Sequence, residues 1–438
     1  MKRLQVAPEE ADIVDLTHDA EGVARIDGKT VFVADALPGE HVRLRRTHRH
    51  RKLDYAVTEA VLSASPDRVA PRCPHFGVCG GCALQHLAPA AQLAFKQGQL
   101  IENLARLGDV QPASVLEPLI GPVWNYRRRA RLGIKLVPRK GKVLVGFRER
   151  SAPYIADLQE CHVLVEPVGR LMVPLGRLVE GLSIADRVPQ AEVAVADDTV
   201  AFVLRVLDPP TAADLERLAE FETTHGVRLY LQPAGPDSVA PLRPDAPRPP
   251  LHYRLEAGDV TVEFEPTDFI QVNGVLNQAM VARALEALDP QPKDPVLDLF
   301  CGLGNFSLPL ARRAASVVAV EGDDGLVRRA RQNAAGNGVT NVEFHVANLF
   351  EDVVGLPWTR RSYDRVLLDP PRAGAREILP VVAKSGASRV VYISCHSGSL
   401  ARDAGLLVRE HGYRLTAAGV MDMFPHTTHV EAMAIFDR

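Results

Sequence analysis

Pro295-Val-Leu-Asp298-Leu-Phe300-Cys-Gly302-Leu-Gly304-Asn305 decides how the second half of this chain folds. The short apolar run from Pro295 to Phe300 meets a glycine loop, and a helical stretch from Asn305 to Ala314 follows it. Glycines at such a junction let backbone come close to a ligand, beside an open helix N-terminus. The alternation continues downstream: Ser316 to Val320 reads as strand, Gly325 to Gly336 as helix, and Arg365 to Leu368 and Arg389 to Ile393 as further buried strands. Strands interleaved with helices imply a parallel sheet covered on both faces.

Before Asp294 the pattern differs. Residues 12 to 65 alternate apolar and polar positions over short runs such as Lys29-Thr-Val-Phe-Val33 and His41-Val-Arg-Leu44, with Gly22, Gly28 and Gly39 read as turn markers. This predicts a small β-barrel. A cysteine-rich loop at 73 to 82 precedes a helix from about Pro89 to Leu107, and 127 to 208 read as strands with one helix near 166 to 181. Seven prolines between Pro233 and Pro250 mark a surface linker or long loop.

A chain of 438 residues has room for about two to four domains. With 46% hydrophobic and 24% charged residues it is no disordered polymer. The first twelve residues have no apolar core of a leader, and no run of 18 apolar residues occurs, so a soluble cytoplasmic protein is expected. A net charge of -3 excludes a uniformly basic nucleic-acid binder, yet Arg43, Arg45, Arg46, Arg49, Arg51 and Lys52 crowd one segment and Arg127, Arg128, Arg129 and Arg131 another. Each run is either a solvated face or a stripe that tracks a phosphate backbone.

The glycine loop, with Glu321 about 20 residues on to accept ribose hydroxyls, suits NAD as well as S-adenosylmethionine. Asp369-Pro370-Pro371 after a later strand favours S-adenosylmethionine, since a dehydrogenase has no evident use for it. In amino-methyltransferases an aromatic follows such a motif and stacks on the base; Arg372 here argues against amine methylation. A lone cysteine is more often a packing residue. Cys395, however, follows an apolar strand at the carboxyl edge, where α/β sheets place their sites. Its thiolate can add to C6 of a uracil, making C5 nucleophilic toward a sulfonium methyl. Glu431, otherwise an ordinary surface acid, is a carboxylate that can then remove the C5 proton.

Cys73, Cys79, Cys82 and the distant Cys161 supply four thiols, suited to a 4Fe-4S cluster or an all-cysteine zinc site. The unpaired fourth cysteine favours iron and sulfur. Cys79-Gly-Gly-Cys82 also reads as a redox dithiol, which leaves Cys73 and Cys161 unexplained. Cys301, within the glycine loop, is assigned to packing.

Taken together these residues resemble the RNA 5-methyluridine methyltransferases, in particular the iron-sulfur branch that modifies bacterial 23S rRNA. The resemblance spans nearly the whole chain. It implies an α/β class I methyltransferase domain of Rossmann-like fold at 263-438, an OB-like TRAM RNA-binding barrel at 8-66, and a central α+β iron-sulfur domain at 67-262, of which about 90-123 packs with the catalytic domain. Cys73-Pro-His-Phe-Gly-Val-Cys79-Gly-Gly-Cys82 matches the cluster motif, with Cys161 implied as fourth ligand of a 4Fe-4S cluster. Gln271, in Phe269-Ile-Gln-Val-Asn273, and Phe300, Asn305, Glu321, Asn348 and Asp369 are implied contacts of S-adenosylmethionine. Cys395 matches the nucleophile and Glu431 the base. The implied partner is 23S rRNA, with one uridine flipped out, and the implied enzyme is a monomer that needs no membrane. The family commonly has Ser-Cys-Asn-Pro where this chain has Ser394-Cys395-His396-Ser397, which removes a fixed φ behind the nucleophile. Three rivals remain: tRNA methylation, an NAD-dependent iron-sulfur oxidoreductase, and an RNA-binding iron-sulfur protein without activity.

Overall fold

The computed structural model describes residues 7-246 and 248-438. They form two compact units, one made of residues up to 96 with 147-156 and 425-428, the other of 97-146, 157-424 and 429-438.

In the first unit β1 (Glu9–Leu16), β2 (Glu21–Ile26), β3 (Lys29–Ala34), β4 (His41–Arg49) and β5 (Leu53–Ser63) close a barrel in the order β1-β2-β3-β5-β4. Period-two alternation turns Val31 and Val33 inward with Ile13, Ala24, Val42, Leu44 and Ala56, and leaves Phe32 on the outer face. Gly28 and Gly39 take left-handed φ values of 75° and 82° and make the expected turns. Gly22 does not. It lies buried within β2, where an added Cβ would stand 2.9 Å from Ile13 Cγ2. Close approach of β1, not a turn, requires a glycine there. Arg46 is buried and paired with Glu9 and Asp54, so part of the first basic run braces the barrel.

The helix α1 (Pro89–Leu107) matches the expected span. In the second unit β6 (Ser114–Val115) is followed by a six-stranded sheet, β12-β11-β10-β9-β7-β8. Its strands are β7 (Arg129–Val137), β8 (Lys142–Gly146), β9 (Gln190–Val195), β10 (Val200–Arg205), β11 (Val227–Gln232) and β12 (Ala240–Pro241). Helices α2 (Met172–Glu180) and α3 (Ala212–His225) lie between these strands in the chain. The hairpin β13 (Leu251–Leu255) and β14 (Val260–Phe264) precedes α4 (Gly274–Leu288).

The remaining strands are β15 (Pro295–Leu299), β16 (Ser316–Glu321), β17 (Val342–Val346), β18 (Arg365–Leu368), β19 (Arg389–Ser394), β20 (Arg414–Met421) and β21 (Glu431–Asp437). With β6 they build an eight-stranded sheet in the order β17-β16-β15-β18-β19-β21-β20-β6. Helices α5 (Ser307–Ala311), α6 (Asp324–Gly336), α7 (Leu379–Lys384) and α8 (Ser397–Arg409) connect them. The helix after the glycine loop is shorter than the expected 305-314 stretch, because Gly302 and Gly304 hold left-handed φ values and delay its start. β15 to β19 run parallel as expected, while β21 enters antiparallel between β19 and β20. Chain order reverses beside β15, and a crevice at that reversal is where α/β sheets bind ligands. No described helix is long and apolar enough to cross a membrane.

Candidate active site

Three carboxylates stand at the carboxyl ends of neighbouring parallel strands: Asp298 on β15, Glu321 on β16 and Asp369 just past β18. Asp298 is wholly buried; Ser307 Oγ donates to Oδ2, and Oδ1 has no partner. Burial, with Glu321 nearby, pushes its pKa up to about 7. Asp369 is likewise pushed up to about 7 by burial, Asp298 and Glu321. Glu321 is held rigidly, accepting from the backbone N–H of Gly302 (3.1 Å), Gly322 (2.6 Å) and Asp323 (3.2 Å). Glu321 raises the pKa of both Asp298 and Asp369, and with one buried oxygen left unsatisfied the three carboxylates form a site that a cation would relieve. S-adenosylmethionine, with its sulfonium and ammonium, fits that demand.

Phe300 sits at φ 66°, a strained value that its backbone N–H bond to Val320 O helps to hold. Its ring lies 5.8 Å from that of Phe350, which is 40% exposed. Asn348, also exposed, accepts from Phe350 N (3.1 Å) and donates to Glu351 (2.7 Å), so it shapes the turn that presents this ring. Sequence reasoning passed over Phe350; an aromatic two residues after Asn348 was the available signal. Asn305 makes a reciprocal amide pair with Asn277 (2.9 and 3.1 Å) and accepts from Tyr253 Oη at 3.0 Å. Its side chain is thus committed to bracing the glycine loop. Gln271 is half-buried, and its carbonyl accepts from Arg128 Nε at 3.2 Å. Buried Arg128 also lies 4.7 Å over the Tyr253 ring, so this member of the second basic run faces inward.

Cys395 and Glu431 meet through the antiparallel ladder. Ser394 pairs with Ala432, so Cys395 follows the end of β19 where Glu431 begins β21. Cys395 is half-buried and Glu431 buried. Burial raises the thiol pKa to about 11; Glu431 and Asp369 add to the shift and Arg372 opposes it. Burial and Asp369 hold the Glu431 carboxyl well above the usual range. Arg372, exposed, is therefore the cation facing the thiol, a role its place after Pro371 did not disclose. Cys301 is buried in the loop, as its assignment to packing requires.

Cys73, Cys79 and Cys82 belong to the first unit and Cys161 to the second. All four are partly exposed. The Cys79-Cys82 turn is built around two glycines: a Cβ on Gly80 would stand 3.0 Å from Arg148 O, and one on Gly81 3.3 Å from the Phe147 ring. Gly81 N donates to Cys79 Sγ at 3.4 Å. Nearby, His86 is buried with both ring nitrogens unpartnered, its ring 5.2 Å from Phe76 of the cysteine loop. The three thiols, the two glycines and His86 all belong to the first unit. Among the described residues, however, no three His, Cys, Asp or Glu side chains are gathered as a metal site.

The parallel sheet with its carboxylate-lined edge defines an S-adenosylmethionine-dependent methyltransferase fold. Residues 252–438 match the family model described as tRNA (Uracil-5-)-methyltransferase. The chain is 54% identical to the 23S rRNA (uracil(1939)-C(5))-methyltransferase RlmD of Alkalilimnicola ehrlichii, over 100% of this chain and 98% of that protein. It is 51% identical to the protein of the same name from Methylococcus capsulatus, with the same coverage. The chain belongs to the uracil-5-methyltransferase family, enzymes that methylate C5 of uracil in RNA from S-adenosylmethionine. The structure of Pyrococcus abyssi tRNA (uracil-54, C5)-methyltransferase with S-adenosyl-L-homocysteine shares its fold, at TM-score 0.74 and 23% identity over 98% of this chain and 99% of that one.

Proposed function

We propose that this enzyme methylates C5 of one specific uridine in 23S rRNA through a covalent adduct on Cys395. The observation that carries the reading is the juxtaposition of Cys395, just past the end of β19, with Glu431 at the start of β21 and with Asp369. The 23S substrate follows the relatives' names, and an enzyme acting on ribosomal RNA would work in the cytoplasm.

A thiol of pKa about 11 is ionised to only about one part in ten thousand at neutral pH. The site must therefore be switched on. When bound, S-adenosylmethionine supplies the methyl group and a positive charge. Opposite charge favours ionised forms, so the thiol, Asp369 and Glu431 all titrate lower in the loaded enzyme. Cys395 Sγ then adds to C6 of the uracil, and the C5=C6 electron pair moves to give an enolate that Arg372 stands ready to oppose. C5 attacks the sulfonium methyl, the S–CH3 bond breaks as the C–CH3 bond forms, and S-adenosylhomocysteine is the leaving group. Glu431 removes the C5 proton, the double bond re-forms, and Cys395 leaves. The high proton affinity that burial confers on Glu431 suits that role. Such attack needs an unstacked base, so the uridine is flipped out.

Asp298, Glu321 and Asp369 would face the cofactor's positive end, and Phe300 with Phe350 would stack on its adenine. Gln271, Asn305 and Asn348 complete the assigned set. Cys73, Cys79, Cys82 and Cys161 would hold a 4Fe-4S cluster in a structural or RNA-positioning role, because methyl transfer is redox-neutral. The functional division is the barrel at 8-66, the central domain at 67-262 and the catalytic domain at 263-438, in a monomer.

The test mixes protein and S-adenosylmethionine with 23S fragments carrying 5-fluorouridine. Fluorine cannot leave as a proton, so a denaturation-stable protein-RNA band is expected, absent in Cys395→Ala. A band with tRNA alone would move the substrate. No band with either RNA would refute the covalent mechanism.

A further inference from the structure

We infer that His396 is a positioning residue for the nucleophile, its neutral imidazole capping α8 and so fixing the loop that carries Cys395. The inference rests on Cys395 being the nucleophile.

His396 occupies the N-cap of α8 with extended backbone, φ -147° and ψ 101°. Ser399 N donates to its Nδ1 at 3.1 Å, and Ser399 Oγ donates to its carbonyl at 3.0 Å. On the strand side His396 N donates to Ser394 Oγ (3.2 Å), and that hydroxyl donates to His396 O (3.1 Å). Cys395 is thus enclosed between two residues pinned to each other and to the first turn of the helix. The ring also has its space reserved: a Cβ on Gly398 would meet His396 Cε1 at 3.1 Å.

Because Nδ1 accepts from a backbone N–H, the ring must carry its proton on Nε2. Protonation of Nδ1 would set N–H against N–H and release the cap. Partial burial opposes a charge on the ring most, and Arg372, from the loop after β18, and Arg402, on α8 itself, add to it. Beyond them, the charged groups facing the adjacent thiol are Glu431 and Asp369. An N-cap asparagine makes the same bond with its side-chain oxygen. His396 therefore does the work of an N-cap asparagine, by a group that titrates.

The experiment follows the 5-fluorouridine adduct at saturating RNA and cofactor in wild type, His396→Ala, His396→Asn and Gly398→Ala, together with mass-mapped alkylation of Cys395. His396→Ala should form adduct on the order of ten-fold more slowly. Its S-adenosylmethionine affinity should be unchanged, and His396→Asn should restore the wild-type rate. Gly398→Ala should slow the reaction in wild type but not in the His396→Asn background. The wild-type rate relative to His396→Asn should fall only below the ordinary imidazole range. An alanine variant as fast as wild type, or an asparagine variant as slow as alanine, overturns the inference. If wild type itself forms no adduct, the nucleophile assignment has failed; a Cys395 alkylation profile unmoved in His396→Ala would then refute the positioning role separately.

Discussion

At the residue scale, burial raises the proton affinity of two neighbouring groups, the Cys395 thiol and the Glu431 carboxyl. Low dielectric and a shared negative field explain both. Glu431→Gln keeps shape and volume but cannot take the C5 proton. We expect it to transfer the methyl group once and then stall, accumulating a methylated protein-RNA adduct with ordinary uridine; rapid release of that adduct would count against Glu431 as the base. The motifs single out both residues, and the structure brings them to the ends of adjacent strands. The roles of Arg372 and Phe350 were not legible in this way, because they depend on which side chain lies opposite, and that partner comes from another strand's loop.

At the scale of elements, the glycines show how a single residue type carries different duties. Gly28 and Gly39 turn the chain, whereas Gly22 lets β1 and the Ala36 segment come close. Gly22→Ala should cost the barrel about 1-3 kcal/mol, since the neighbouring atoms at 2.9 to 3.0 Å include backbone. Urea unfolding of the whole chain would check this, and an unchanged barrel transition would contradict it. The replaced proline is another case. His396 already holds the extended backbone that precedes a proline, and Ser397 is the first residue of α8, where proline is well tolerated. Ser397 is instead buried and accepts from Asn103 Nδ2 at 2.9 Å. Ser397→Pro should therefore keep the loop but strip Asn103 of its partner, costing about 1 kcal/mol in denaturant midpoint analysis.

At the scale of the whole molecule, the carboxylate cluster links pH, cofactor and stability. Folded Asp298 titrates near 7, while an unfolded aspartate titrates near 4. Its contribution to stability is thus complete below about pH 4 and is lost as pH rises through about 7. The cofactor-free protein should melt lower at pH 8 than at pH 6, and Asp298→Asn should flatten that slope. Cofactor binding works in the opposite direction. S-adenosylmethionine should bind roughly two- to ten-fold tighter at pH 8 than at pH 6 and release protons, which calorimetry in buffers of different ionisation enthalpy would read. S-adenosylhomocysteine, lacking the sulfonium, should show a smaller slope. Equal slopes would mean that the cluster does not face the sulfonium.

The sequence by itself determined the local order: period-two strands that close the barrel, strand and helix alternation that makes the parallel sheet, and motif residues placed at strand ends. These follow from backbone sterics and burial within a few residues. Only the tertiary structure decided the antiparallel insertion of β21, which puts Glu431 beside Cys395 although 35 residues of chain separate the two. It alone decided, too, the coupling of three carboxylates from three strands, and the turning of Asn305 toward Asn277. Desolvation and charge coupling depend on distance in space, and no spacing along the chain encodes that distance.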